Sequence, residues 1–217
     1  MGMGLSDTLF ITPYLLCAKI LNMQAMNMPG SALPDTKGTG GFMNPDKIAG
    51  GFGIKEGMSI ADFGSGAGYF TILLGQKVGL SGKVYALDIQ ESALDNVRVK
   101  AKAAGLDNVE MIRSNLEVLG SSGLTDNSQD MVLLANILFQ SDKKGEIIKE
   151  AVRVLKSGGT LVVIDWKKAA GQGGFGPPDD LRTDETVMRS LALREGLVFE
   201  NEIDAGQFHY GMKFKKG

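Results

Sequence analysis

The chain has 217 residues, of which 43% are hydrophobic and 22% are charged, and its formal net charge at pH 7 is −2. These values predict one α/β domain with an ordinary core and leave too little chain for a second full domain. The small net charge argues against nucleic-acid binding, and the single cysteine, Cys17, excludes an internal disulfide and a multi-cysteine zinc site.

The N-terminal region is predicted to contain a helix that begins near Thr12 and Pro13, with the threonine as its cap. Its leucine, isoleucine and methionine side chains leave two interpretations open. The helix packs on the domain or on a partner subunit, or it forms a lid over a substrate, because methionine adapts to varied apolar ligands. The apolar stretch at residues 9–21 is too short to span a bilayer, so we expect a cytoplasmic protein without a membrane span.

A segment rich in glycine and proline follows at residues 29–41 and predicts a mobile connector. We therefore divide the chain into an N-terminal helix with its connector, residues 1–43, and a domain, residues 44–217. Asn44 then predicts the cap of a short helix. Phe42, directly before that helix, is a candidate for ligand contact if the connector folds back.

The stretch from Met58 to Leu74 predicts a strand, a tight glycine turn and the start of a helix. Glycine accepts positive φ angles and puts no Cβ between the main chain and a ligand, so this loop is suited to binding one. The dinucleotide fingerprint would place its third glycine where Tyr69 stands, and no Gly-Lys-Ser/Thr follows as in a phosphate loop. The loop motif is Asp62-x-Gly64-x-Gly66-x-Gly68.

Two further strands are predicted after the loop and its helix. The first, Lys83 to Asp88, ends in an acid 20 residues past Gly68, close to where nucleoside-binding α/β folds place an acid for the ribose hydroxyls. As an isolated residue, Asp88 has a second interpretation, because it can also cap the helix predicted from Glu91 to Ala104. The next strand is predicted at Val109 to Ile112.

The remaining pattern completes the predicted sheet. An almost continuous apolar run, Asp130 to Ala135, is typical of a central parallel strand buried on both faces. Ser141 and Asp142 predict the start of the next helix, which ends in a glycine turn at Leu155 to Gly159. The later elements are a strand at Thr160–Trp166, a helix at Arg182–Arg194, a strand at Leu197–Ile203, and a closing strand at Gln207–Phe214 with one buried face.

In order and spacing, the motifs from Met58 to Trp166 resemble the class I S-adenosylmethionine-dependent methyltransferases. The resemblance implies a doubly wound, mostly parallel seven-stranded sheet with an antiparallel last strand, helices on both faces and an N-terminal helical lid. Within the family, the short chain is most similar to the small-molecule enzymes, including the ubiquinone/menaquinone branch.

The resemblance also implies residues for the cofactor, S-adenosyl-L-methionine, and for its product, S-adenosyl-L-homocysteine. Asp88 would take the ribose hydroxyls, and Asn115 stands where the family often places an aspartate near the adenine amino group. Asn136 would lie beside the methionine part of the cofactor and the substrate. The full predicted cofactor set is Asp62, Gly64, Ser65, Gly66, Gly68, Tyr69, Asp88, Ile89, Asn115, Leu116 and Asn136.

Candidates on the substrate side are fewer. Besides Phe42, Trp166 at the end of strand five either touches substrate or is a core residue at the sheet edge. Arg182 either pairs with an acidic substrate or is an exposed arginine at a helix start. His209 and Asp165 are the candidates for a general base, although His209 can equally be a polar residue on the last strand. No metal is implied.

We therefore expect methyl transfer to a small-molecule acceptor by in-line displacement, in a monomer or a homodimer. One alternative is a non-catalytic S-adenosylmethionine-binding module that acts through a partner subunit. A nicotinamide oxidoreductase is a further alternative, which Tyr69 and the lack of a Tyr-x-x-x-Lys pair disfavour.

Overall fold

The computed structural model describes residues 43–168 and 176–217. The predicted N-terminal helix, the connector at 29–41, Phe42 and part of the loop after strand five lie outside the described residues. Within the described ranges, no helix is long and apolar enough to cross a membrane.

Strands and helices alternate along most of the described chain. The strands are β1 (Ser59–Phe63), β2 (Lys83–Asp88), β3 (Val109–Arg113), β4 (Gln129–Ala135), β5 (Leu155–Trp166), β6 (Leu197–Ile203) and β7 (His209–Lys216). The helices are α1 (Pro45–Ala49), α2 (Tyr69–Val78), α3 (Glu91–Ala103), α4 (Lys144–Val154) and α5 (Glu185–Arg194), and a 3-10 turn at Leu138–Gln140 follows β4.

The seven strands form one sheet in the order β3-β2-β1-β4-β5-β7-β6. Strands β1 to β5 pair in parallel, and β7 is antiparallel to both of its neighbours, β5 and β6. The predicted doubly wound sheet with an antiparallel last strand is therefore confirmed. The strand order reverses between β1 and β4, which makes the carboxyl ends of these two strands the switch point where open α/β sheets bind ligands.

Helices cover both faces of the sheet, as predicted. One apolar layer packs α4 and α5 on the sheet through residues such as Ile147 and Met188. The other packs α1 and α2 on the opposite face through residues such as Ile48 and Leu74. The central strands are buried on both faces, which explains why β4 has an almost continuous apolar run instead of an alternating pattern.

Local sequence signals locate some helix starts correctly and miss others. The Asn44 side chain accepts a hydrogen bond from the Lys47 N–H (3.1 Å), as predicted for a cap. Ser141 and Asp142 do not begin α4, however, because the Ser141 hydroxyl accepts from the Lys143 N–H and the helix starts only at Lys144. Helix α5 likewise starts at Glu185, where Asp184 provides the cap.

The last strands differ from prediction in two details. Strand β5 begins at Leu155, earlier than predicted, but its continuous pairing with β7 starts at Thr160, and the glycine segment before it forms a register shift against β4 with Gly158 at positive φ. The closing strand does not have one exposed face at its start, since His209 and Tyr210 are both buried. Strand β7 pairs with β5 and β6 along its edges, and the His209 ring is covered by its contact with Trp166.

Candidate functional site

The glycine loop after β1 is tied to the end of β2. The N–H groups of Gly64 and Ser65 both donate to the Leu87 carbonyl, at 2.7 and 2.9 Å. The Gly68 N–H donates to the Ser65 carbonyl at 2.9 Å and closes a turn directly before α2. These bonds hold the loop at the switch point of the sheet.

The three glycines of the loop all have positive φ, but they differ in what surrounds them. A Cβ on Gly64 would lie 2.5 Å from Cδ1 of Ile137, and one on Gly68 would lie 2.9 Å from Cγ2 of Val97. A Cβ on Gly66 would meet no atom of the described chain within 4 Å. Gly64 and Gly68 are therefore required by packing, whereas Gly66 leaves its backbone open to a ligand.

The Asp88 carboxylate lies against this open part of the loop. Its Oδ2 accepts from the Gly66 N–H and its Oδ1 from the Gln90 N–H, both at 2.9 Å. Because Gln90 is the residue before α3, Asp88 serves the helix start and the loop at once. Each ionised carboxylate oxygen can accept a further hydrogen bond, so both keep capacity for a ligand.

Asp62, at the end of β1, has a different environment. It is almost fully buried, and its Oδ2 accepts from the Thr71 hydroxyl of α2 at 2.6 Å. Burial raises its pKa to about 7, the Thr71 hydrogen bond opposes the rise, and the negative charge of Asp88 adds to it. Asp62 thus joins the strand before the loop to the helix after it.

The end of β4 faces the same loop and carries backbone strain. Asn136 has φ +56°, which is rare for a residue other than glycine. Its N–H donates to the Ile164 carbonyl at 2.9 Å, but its buried Oδ1 has no hydrogen-bond partner among the described residues, and neither has the buried hydroxyl of Ser65. Strain and unpartnered buried polar atoms are typical of ligand sites.

Asp165, near the end of β5, connects this strand to the turn after β4. Its Oδ2 accepts from the Phe139 N–H at 3.1 Å and its Oδ1 from the Trp166 N–H at 2.8 Å. Complete burial raises its pKa to about 7, although these N–H groups and the positive charge of Lys144 oppose the rise. Its oxygens are therefore occupied in holding the turn that follows Asn136.

His209, at the start of β7, packs on Trp166 with ring centroids 4.1 Å apart and a tilt of 43°. Only 1% of His209 is exposed, and neither ring nitrogen has a hydrogen-bond partner among the described residues. Burial lowers its pKa to about 4, and the charges of Arg182 and Lys167 add to this effect. The imidazole is therefore neutral at physiological pH and presents one donor and one acceptor.

Comparison with known proteins identifies the family. A family model described as a methyltransferase domain matches residues 54–203, which include the loop and the whole region from β1 to β6. The chain belongs to the class I methyltransferase family. A crystal structure of an S-adenosylmethionine-dependent methyltransferase from Aquifex aeolicus is 31% identical, with a TM-score of 0.72, and the match covers 80% of this chain and 89% of that one.

Two other matches show how far the likeness extends. The ubiquinone/menaquinone biosynthesis C-methyltransferase UbiE from Escherichia fergusonii is 33% identical over 117 residues, which are 54% of this chain and 45% of that protein. The chain thus spans about half the length of the curated relatives it matches. The [4+2]-cyclase SpnF shares the fold at 16% identity, with a TM-score of 0.70 and coverage of 94% of this chain and 93% of that one.

The other predicted cofactor residues lie near β2 and β3. The Ser114 N–H donates to the Asp88 carbonyl at 3.0 Å, so the turn that contains Asn115 begins beside the end of β2. Asn115 is exposed, and its Oδ1 accepts from the Glu117 N–H at 3.1 Å, while Leu116 is buried in the core. Ile89 accepts at its carbonyl from the Arg113 side chain. Their contacts with a cofactor stay predictions.

Of the substrate-side candidates that the structure describes, Trp166, Arg182 and His209 lie together, and the prediction for Arg182 needs a correction. Trp166 is buried, as in one of its two interpretations. Arg182 is not an exposed residue at a helix start, because it precedes α5 and is itself buried. Its Nε donates to the Pro177 carbonyl at 2.9 Å and its Nη1 to the Lys167 carbonyl at 2.8 Å, and the guanidinium carbon lies 5.6 Å from the Trp166 ring. Backbone carbonyls of the surrounding loop hold it there.

Sequence reasoning missed three residues that shape the loop from outside it. The Thr71 hydroxyl donates a hydrogen bond to Asp62, and Ile137 packs where a side chain on Gly64 would stand. Lys100 of α3 donates to the Ala67 carbonyl. Thr71 follows the loop by three residues, which is a recognisable helix-start position. The other two are distant in the chain, so only the folded structure relates them to the loop.

Proposed function

We propose that this protein transfers the methyl group of S-adenosylmethionine to a small-molecule acceptor by in-line displacement. The observation that carries the proposal is the open face of Gly66, whose N–H donates to the Asp88 carboxylate. The same loop packs through Gly64 against Ile137, the residue after the strained Asn136. Family membership supports the same cofactor.

The residues fit this cofactor in three respects. Asp88 offers two acceptor oxygens for ribose hydroxyls, and the Gly66 backbone is approachable for the amino-acid end. The unpartnered Oδ1 of Asn136 and hydroxyl of Ser65 offer polar atoms that a ligand would satisfy. When bound, S-adenosylmethionine supplies an electrophilic methyl group carried on a sulfonium.

The protein contributes mainly position in such a reaction. Holding two reactants in the productive geometry can supply about 7 to 11 kcal/mol of the barrier. We assign Asp165 to this positioning, because its oxygens hold the turn after β4. We assign His209 to contact with the methyl acceptor, because its neutral imidazole is buried with both nitrogens unpartnered among the described residues. With a pKa lowered to about 4, the imidazole is a weak base, so its role is to hydrogen-bond a polar group of the methyl acceptor and not to take up its proton.

The comparisons favour an enzyme over a non-catalytic binding module. The name of the Escherichia fergusonii relative makes quinol-type intermediates the first acceptors to test. Fold alone does not fix the reaction, since the cyclase SpnF shares it.

The experiment has two stages. Calorimetric titrations with S-adenosylmethionine, S-adenosylhomocysteine and NAD test the cofactor, and binding of NAD in place of the other two would overturn the proposal. Methyl-labelled S-adenosylmethionine is then incubated with quinol-type acceptors and with the small-molecule fraction of a cell extract. Label in a small molecule supports the proposal, whereas tight cofactor binding without transfer supports the non-catalytic module.

A further inference from the structure

We infer that Lys100 of α3 is a positioning residue for the glycine loop, and that its ammonium sets the loop conformation that binds the cofactor. The inference rests on the proposed function, because it takes S-adenosylmethionine as the ligand of the loop. Lys100 lies outside the family motif from residue 62 to residue 68.

The first support is a hydrogen bond to the loop backbone. Lys100 Nζ donates to the Ala67 carbonyl at 2.6 Å, and the N–H at the other end of the same peptide group, that of Gly68, donates to the Ser65 carbonyl at 2.9 Å. A peptide group is planar, so partners at both ends fix its orientation. The peptide before it, which carries the Gly66 carbonyl, is thereby constrained on one side.

The second support is the ring of Tyr69. Lys100 Nζ lies 3.7 Å from the ring centroid, within the range of a cation–π contact. Tyr69 is the first residue of α2 and is 40% exposed. The ammonium therefore links the end of the loop to the start of the helix.

The third support is the close approach of α3. Val97, one helical turn before Lys100, lies where a side chain on Gly68 would stand, 2.9 Å from its Cβ position. Residues three apart on a helix share a face, so Val97 and Lys100 contact the loop side by side. Val97 excludes a side chain at Gly68, and Lys100 then orients the peptide that precedes it.

Within the described residues, the Lys100 ammonium contacts only the Ala67 carbonyl and the Tyr69 ring. It forms none of the ion pairs there, whereas its helix neighbour Arg98 pairs with Asp95. A hydrogen bond from an ammonium to a carbonyl is charge-assisted and stronger than a neutral one. A side chain of equal length without charge would fill the space but would not orient the carbonyl.

The test uses Lys100→Met, Lys100→Arg and, as the matched control, Lys102→Met, which changes an exposed lysine on the same helix. The dissociation constant for S-adenosylhomocysteine is measured by calorimetry for each variant, together with the melting temperature. We expect Lys100→Met to raise the dissociation constant about tenfold, as for loss of a charged hydrogen bond. The dissociation constant of Lys100→Arg should stay within about threefold of the wild-type value, because a guanidinium also donates to a carbonyl and stacks on a ring. Lys102→Met should leave it unchanged.

Kinetics distinguish positioning from general destabilisation. The KM for S-adenosylmethionine should rise in Lys100→Met while kcat changes little, and the Arg variant should reverse the change. If Lys100→Met does not fold, Lys100→Gln takes its place, because it keeps a neutral donor but loses the charge, and it should raise the dissociation constant by about threefold.

An unchanged dissociation constant in Lys100→Met, or equal weakening in Lys102→Met, would overturn the inference. Failure of the Arg variant to restore binding would do the same. If the unaltered protein binds neither S-adenosylmethionine nor S-adenosylhomocysteine, the proposed function fails instead, so the two failures are distinguishable.

Discussion

Within the glycine loop, Gly64 and Gly68 are required for packing, whereas Gly66 is expected to be required for ligand binding. Gly64 and Gly68 have neighbours where a side chain would stand, and Gly66 has open space there. The sequence motif treats the three glycines alike, because the spacing of glycines contains no information on which neighbour packs against each one. The distinction becomes testable by changing one glycine at a time.

We predict different effects for Gly64→Ala and Gly66→Ala. The first should lower the free energy of unfolding by about 2 kcal/mol or more, because it adds left-handed strain and a close contact with Ile137. The second should cost only about 1 kcal/mol, since the strain comes without a clash. It should nevertheless weaken S-adenosylhomocysteine binding at least tenfold, as measured by calorimetry. Wild-type affinity in Gly66→Ala would show that this face does not contact the ligand.

His209 is the residue at which stability and function are expected to conflict. A buried polar group without a partner costs about 1–3 kcal/mol, so His209→Phe should keep the ring contact with Trp166 and unfold at equal or higher denaturant concentration. Methyl transfer should fall strongly in the same variant. Unchanged transfer would remove His209 from the acceptor site.

The difference in stability between His209→Phe and wild type depends on pH, because the pKa of His209 is lowered in the folded state. The unfolded imidazole has a pKa near 6.5 and the folded one near 4, so below pH 6.5 the unfolded state binds the extra proton. Wild-type stability from this group is therefore complete above pH 6.5 and is lost as the pH falls towards 4. The stability advantage of His209→Phe should be larger at pH 5 than at pH 7.5, and chemical denaturation at both pH values measures it.

At the scale of elements, the turn after β4 depends on β5. Asp165 accepts from the Phe139 N–H, and the Asn136 N–H donates to the Ile164 carbonyl, so β5 holds this strained segment at two points. Periodicity predicted both strands as separate elements. It could not predict their connection, because the register between β4 and β5 includes a bulge that no local pattern specifies.

We predict that Asp165→Asn changes the pH dependence of stability. The folded pKa of Asp165, near 7, is above the unfolded value near 3.8, so its contribution is complete below pH 3.8 and is lost as the pH rises through 7. Asparagine does not titrate, so the stability of the variant relative to wild type should improve by at least ~1 kcal/mol between pH 5 and pH 8. Denaturation curves at several pH values test this, with Asp142→Asn, an exposed position, as control. Parallel curves for wild type and Asp165→Asn would contradict it.

The buried positions of Arg182 and His209 could not be predicted from the sequence. Arg182 was predicted at a helix start because a helical pattern follows it, yet the helix begins at Glu185 after the Asp184 cap. Carbonyls of Pro177 and Lys167 hold Arg182 in a buried position, and these contacts depend on the path of a loop. The burial of His209 likewise depends on a contact between residues distant in the chain, because its ring packs on Trp166.

At the scale of the whole molecule, the sheet was predictable because each strand and its following helix are marked by local signals. The apolar runs, the glycine loop and the acid at the end of β2 occur in the order of one known topology, and the observed strand order agrees with it. The family match and the likeness to the Aquifex aeolicus enzyme support the same conclusion. The acceptor was not predictable, because methyltransferases of this fold differ mainly in the loops and segments around the sheet.

The proposed function requires that the Asp88 carboxylate binds the ribose of S-adenosylmethionine at the switch point of the sheet. Calorimetric titration of S-adenosylhomocysteine into wild type, Asp88→Ala and the exposed control Asp95→Ala tests it most directly. Loss of two charge-assisted hydrogen bonds should weaken binding to Asp88→Ala by about 2 to 4 kcal/mol, which is roughly 30- to 1,000-fold, with the control unchanged. A dissociation constant in Asp88→Ala equal to that of wild type would contradict the account.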